Sequence, residues 1–125
     1  MSGRVVHFEV PYDDAERARS FYGDVFGWRI QPTEMQYDLV STGPVDEGGR
    51  PSAPGYVGGG MTQRGGHVTQ PVITIEVDDV RATLDRIRSS GGAGLGEPFA
   101  VGEMGIAAYF TDSEGNRMGL WQSTA

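Results

Sequence analysis

The sequence holds 125 residues with a formal net charge of −7 at pH 7, and hydrophobic and charged residues make up 38% and 22% of it. That length suits a single domain with a modest core. The acidic balance repels phosphate backbones, which excludes nucleic acid as a partner, and no apolar run approaches the roughly 20 residues of a membrane span, which excludes a membrane helix.

Residues 4–12 alternate as a strand, with Val6, Phe8, Val10 and Tyr12 on one face and His7 and Glu9 on the other. Asp13 then reads as a helix N-cap, with Glu16 three residues on as in a capping box. The helix runs to about Phe26. Its apolar residues Phe21, Tyr22 and Phe26 are assigned to the core by periodicity, and Gly27 follows as a left-handed cap. Strands are expected near Trp28–Ile30, Gln36–Ser41 and Tyr56–Thr62. Gly58, Gly59 and Gly60 follow no strand-to-helix pattern and precede no Lys, so they read as a flexible or bulged strand and not as a phosphate loop. The Gly- and Pro-rich segment Gly43–Gly55 is expected to be a mobile flap.

Gln63–Pro71 is rich in breakers and reads as a linker containing a surface histidine, His67. Val72–Val77 is the next alternating strand, with Ile73, Ile75 and Val77 on one face. Asp78 and Asp79 open a second helix that Gly91 and Gly92 end. Strands near Glu97–Val101, Ile106–Thr111 and Arg117–Gln122 follow, the last two joined by the polar turn Asp112–Asn116. Shifting the first half by 65 residues lays Asp14 on Asp79 and His7 on Val72. The expected fold is therefore α+β: two tandem βαβββ modules forming a curved mixed sheet around a cleft. Module one covers about 1–62, the linker 63–71, and module two 72–125.

The chemistry is restricted. Cys and Lys are both absent, so there is no thiol nucleophile, thiolate ligand or Schiff-base lysine. Only His7 and His67 supply imidazole. The start of the chain does not read as a signal peptide, so the expected location is cytoplasmic.

The stretch His7-Phe-Glu-Val-Pro-Tyr-Asp-Asp-Ala-Glu-Arg-Ala-Arg-Ser-Phe-Tyr-Gly-Asp-Val-Phe-Gly27 resembles the opening of vicinal oxygen chelate (VOC) proteins, a superfamily that includes glyoxalase I, extradiol dioxygenases and bleomycin-resistance proteins. Glu76–Ala82 and Phe110–Asn116 are similar to the corresponding signals of the second module. The resemblance implies a divalent metal on strand side chains of both modules. Of its ligand positions His7 is retained, Val72 and Gly119 replace two others, and the strand around Gly58–Met61 offers no carboxylate. The expectation is therefore no cofactor, with a metal on His7, Glu9 and Glu76 as the alternative.

Two functions follow from this reading. One is a metal-independent protein that binds a small aromatic or polar metabolite or antibiotic; an acidic binder of cationic antibiotics is one form of it. The other is a glyoxalase-like isomerase, lyase or epimerase in which His7 and Glu9 exchange protons. Tyr37, Tyr56, Thr74, Tyr109, Arg117 and Trp121 are candidate ligand-binding residues, the aromatics either walling a pocket or filling the core. Gly119 in place of an acid is expected to leave room for a flat ligand. His7 is read as a cavity residue or as a relic of a metal site, and Glu9 as a ligand contact or base, as a partner of Arg117 or Arg29, or as a solvated position at the cleft mouth. The resemblance further implies a homodimer.

Overall fold

The computed structural model describes residues 3–124 as two helices and eight strands, an α+β chain of two βαβββ modules. The described residues pack into two compact units, His7–Pro71 and residues 3–6 together with 72–124. Among the described residues no helix is long and apolar enough to cross a membrane.

The unit His7–Pro71 holds most of β1 (Val5–Tyr12), then α1 (Ala15–Phe26), β2 (Arg29–Gln31), β3 (Tyr37–Ser41) and β4 (Gly58–Gln63). Its strands lie in the order β2-β3-β4-β1, antiparallel except for the parallel pair β4/β1. The strand alternation holds: Phe8 and Val10 pack with Tyr12, Val40 and Met61 against Ala15, Ala18 and Tyr22 of α1. Trp28 stacks on Tyr22 with ring centroids 4.7 Å apart. A salt bridge fixes the helix to the sheet, Arg19 Nε donating to buried Asp38 of β3 at 2.7 Å.

Several expectations for this unit are corrected. Asp14, not Asp13, is the N-cap, its carboxylate accepting from Arg17 N–H at 3.0 Å. The two residues are equally suited by type, and the extended backbone at Asp14 (φ −132°, ψ 112°) decides between them. Asp13 instead accepts from Arg64 Nε at 2.9 Å. Phe21 and Phe26 are exposed and are not core, because periodicity says which residues share a helix face and not whether that face is covered. Segment 43–55, expected as a mobile flap, carries hydrogen bonds of its own: Val45 bridges Pro51, Asp46 N–H donates to Arg50 O at 2.8 Å, and the Asp46 carboxylate accepts from Gly48 and Arg50 N–H.

The other unit holds β5 (Val72–Glu76), α2 (Val80–Ser89), β6 (Ala93–Val101), β7 (Gly105–Thr111) and β8 (Arg117–Ser123) in the sheet order β5-β8-β7-β6, with β5/β8 parallel. Gly3 N–H and Arg4 O bond the backbone of Glu76, which ties the N-terminal residues to this unit. Helix α2 is capped by Asp79, and Gln122 Oε1 accepts from Val80 N–H at 2.8 Å. Val77, Val80, Leu84, Ala108, Phe110 and Leu120 form its core. β6 begins at Ala93, four residues before its expected start. Gly96 at φ 72° and a register shift between Leu95 and Phe99 break the alternation that would have revealed it.

Candidate functional site

The face of the His7–Pro71 unit that turns away from α1 carries the chemistry. His7 and Glu9 project from β1 on the side opposite Phe8 and Val10, as alternation requires. Their register partners on β4 are Gly58 and Gly60, which contribute no side chains. Tyr37 on β3 is paired with Thr62, and its ring leans diagonally across the strand over Gly60. Its hydroxyl thereby reaches the Nε2 of His7 at 2.7 Å. The two rings lie nearly parallel, with centroids 6.3 Å apart. The Thr33 hydroxyl donates to the Tyr37 carbonyl at 2.7 Å and secures the start of β3.

Gly59 and Gly60 are thus a requirement of packing. A Cβ at Gly60 would overlap the Tyr37 ring, and one at Gly59 would meet the carbonyl and ring of Phe8 on the opposite face, at 2.6 and 2.7 Å. The strand is regular and pairs in continuous register on both sides, so the bulge expected as one alternative is absent. No sequence signal announced the His7–Tyr37 pair, because a contact across an intervening strand depends on register.

Burial pushes the His7 pKa below its ordinary value, partly offset by the negative charge of Glu9. Glu9 itself is only 7% exposed. At neutral pH the site therefore presents a neutral imidazole, one nitrogen engaged by a phenol, beside the buried side chain of Glu9. Such a group can accept a proton or a hydrogen bond. Which nitrogen carries the proton depends on whether the Tyr37 hydroxyl donates or accepts.

Tyr56 donates from its hydroxyl to the Pro44 carbonyl at 2.7 Å and lays its ring against Gly43, so it secures the 43–55 loop. In the other unit Thr74, Gly119 and Trp121 share the sheet face turned away from α2, with Thr74 opposite Gly119 in register. The Thr74 hydroxyl lies 2.8 Å from where a Gly119 Cβ would stand, so the room expected at Gly119 is taken. Tyr109 stacks on Phe99 at 6.2 Å, Trp121 closes over Gly105, and Arg117 is exposed near the start of β8. His67 is half-buried in a turn closed by Gly65 and Val68.

The donors do not fit the metal implied by the resemblance. Val72 and Gly119 offer no ligand atom, the Gly58–Met61 strand offers no carboxylate, and the Nε2 of His7 already contacts a phenol. Among the described residues no three His, Cys, Asp or Glu side chains gather as a ligand set.

Comparison with known proteins places these features in context. The family model for the bleomycin resistance protein-like N-terminal region matches residues 4–43. A glyoxylase-like domain-containing protein of Didymella fabae is 29% identical over 121 residues, covering 93% of this chain and 91% of the relative. The "Putative glyoxylase CFP32" of Mycobacterium tuberculosis is 30% identical over 118 residues, and the match spans 88% of this chain but 42% of that protein. Among solved structures, a Streptomyces coelicolor methylmalonyl-CoA epimerase in complex with 2-nitronate-propionyl-CoA superposes with a TM-score of 0.67 at 18% identity, covering 100% of this chain and 97% of that one.

Proposed function

Because the chain belongs to the vicinal oxygen chelate superfamily, as a glyoxalase/bleomycin-resistance-like member, we propose that it binds a small aromatic or polar metabolite or antibiotic without the metal of that superfamily. The observation that carries this reading is the 2.7 Å contact between Tyr37 Oη and His7 Nε2. It engages the one retained ligand position with an organic partner. His7, Glu9 and Tyr37 then form a polar recognition cluster on a glycine floor, where ligand hydroxyl or amine groups can bond imidazole and carboxylate. The net charge of −7 favours a cationic ligand, and the bound small-molecule ester in the epimerase supports use of this fold for ligand binding. The reading includes a cytoplasmic protein acting as a homodimer.

A second reading is favoured by the lowered pKa of His7: a neutral imidazole beside Glu9 is a competent base, so proton transfer on a bound carbonyl compound is the alternative. The deciding experiment is a thermal-shift screen of aromatic amines, glycopeptide antibiotics and acyl thioesters, paired with elemental analysis. Binding without turnover, lost in His7→Ala and unaffected by chelator, supports the first reading. About one tightly held divalent ion per chain overturns it. Turnover abolished in His7→Ala with binding retained establishes the second.

A further inference from the structure

One flank of α1 is apolar and uncovered. Phe21 and Val25, one helical turn apart, expose 54% and 58% of their surfaces, and Phe26, whose ring centroid lies 6.3 Å from that of Phe21, exposes 60%. Contiguous exposed apolar patches mark contact surfaces, whereas single exposed residues do not. Arg17 and Asp24 border this flank. Both are exposed, and no side-chain ion pair joins either to another described residue.

The order of these residues is self-complementary. At 100° per residue, Arg17, Phe21, Asp24 and Val25 fall within one stripe about 100° wide. When two such helices meet antiparallel with a twofold axis at Phe21, Phe21 faces its own copy. Arg17 comes opposite Asp24 and Val25 of the partner, so two symmetric Arg–Asp pairs bracket an apolar centre. A parallel pairing would set Arg against Arg and Asp against Asp. A shallow groove of about 370 Å³, lined by Pro11, Tyr12, Ala18 and Phe21 and by the charged residues Asp13, Asp14, Arg17 and Arg64, opens at the end of the stripe where this register delivers the partner's Val25.

We infer that α1 is the surface through which two copies of this chain pair, antiparallel about Phe21. This rests on the homodimer included in the proposed function, and it adds the surface and the register. The chain has no Cys, so single-cysteine variants report cleanly. Mild oxidation of Phe21→Cys should give a cross-linked dimer, whereas Leu39→Cys, exposed on β3, should not. Sedimentation should show Arg17→Asp and Asp24→Arg each weakening the dimer about tenfold, with the double variant restored towards wild type. Phe21→Glu should be monomeric with an unchanged circular dichroism spectrum. A wild-type protein that is monomeric at high concentration overturns both the homodimer and this surface. A wild-type dimer that neither cross-links through Phe21→Cys nor responds to the charge reversals overturns this surface alone.

Discussion

Tyr37 reaches His7 across an intervening strand, and it can do so only because Gly60 stands between them. The β3 tyrosine leans over β4, its hydroxyl stops 2.7 Å from His7 Nε2 on β1, and any side chain at Gly60 would occupy the space of its ring.

A Cβ at position 60 must therefore displace the ring. Gly60→Ala should cost about 1–3 kcal/mol, the range for overpacking a tight site. In a Tyr37→Ala background the same substitution should cost much less, because the atoms it collides with are gone. Denaturant unfolding of the four proteins in this cycle checks the claim; equal costs in the two backgrounds would mean that the ring does not hold this place.

His7 gives a pH dependence with a definite sign. Its folded pKa lies below the ordinary value of 6.5 through burial, only partly opposed by Glu9. Above 6.5 the imidazole is neutral in both folded and unfolded chains. As pH falls below 6.5 the unfolded chain takes up the proton first, so the fold loses stability until pH passes the lowered folded pKa. Unfolding free energy measured between pH 7 and 5 should fall for wild type, and His7→Gln should flatten that slope. An unchanged slope would assign the pH dependence to other groups.

Much of the fold was legible because it rests on local rules. The two βαβββ modules follow from strand alternation, from Asp at the head of each helix and from Gly27 at the end of α1. The placement of His7 and Glu9 on the face opposite Phe8 and Val10 followed from the same alternation. What stayed hidden depends on non-local geometry. The diagonal lean of Tyr37 requires the β3/β4 register, and the filling of the Gly119 space by Thr74 requires the parallel pairing of β5 with β8. The exposure of Phe21 and Phe26 depends on what covers α1, which helical periodicity does not report.

The capping residue offers a sharp comparison between neighbours. Asp14 accepts from Arg17 N–H at the head of α1, whereas Asp13 makes an exposed ion pair with Arg64. Asp14→Ala should lower stability by about 1 kcal/mol, the usual value of an N-cap. Asp13→Ala should be close to neutral, as exposed ion pairs contribute little. Thermal melts of the two variants distinguish the assignments, and the reverse order would restore Asp13 as the cap.

Arg19 and Asp38 give an asymmetric pair. Asp38 is buried behind β3, next in sequence to Tyr37 and facing the opposite side, while the Arg19 side chain keeps a third of its surface in water. Removing Asp38 leaves a guanidinium that can rehydrate. Removing Arg19 strands a carboxylate that cannot, and an uncompensated buried charge is the costlier remnant. Arg19→Ala should therefore lower the melting temperature more than Asp38→Ala, and the double variant should be more stable than Arg19→Ala alone. Because the pair fixes β3 against α1, Arg19→Ala should also loosen the Tyr37–His7 contact, seen as a changed His7 ring resonance. An unchanged resonance in a folded Arg19→Ala protein would show that β3 holds its register without the salt bridge.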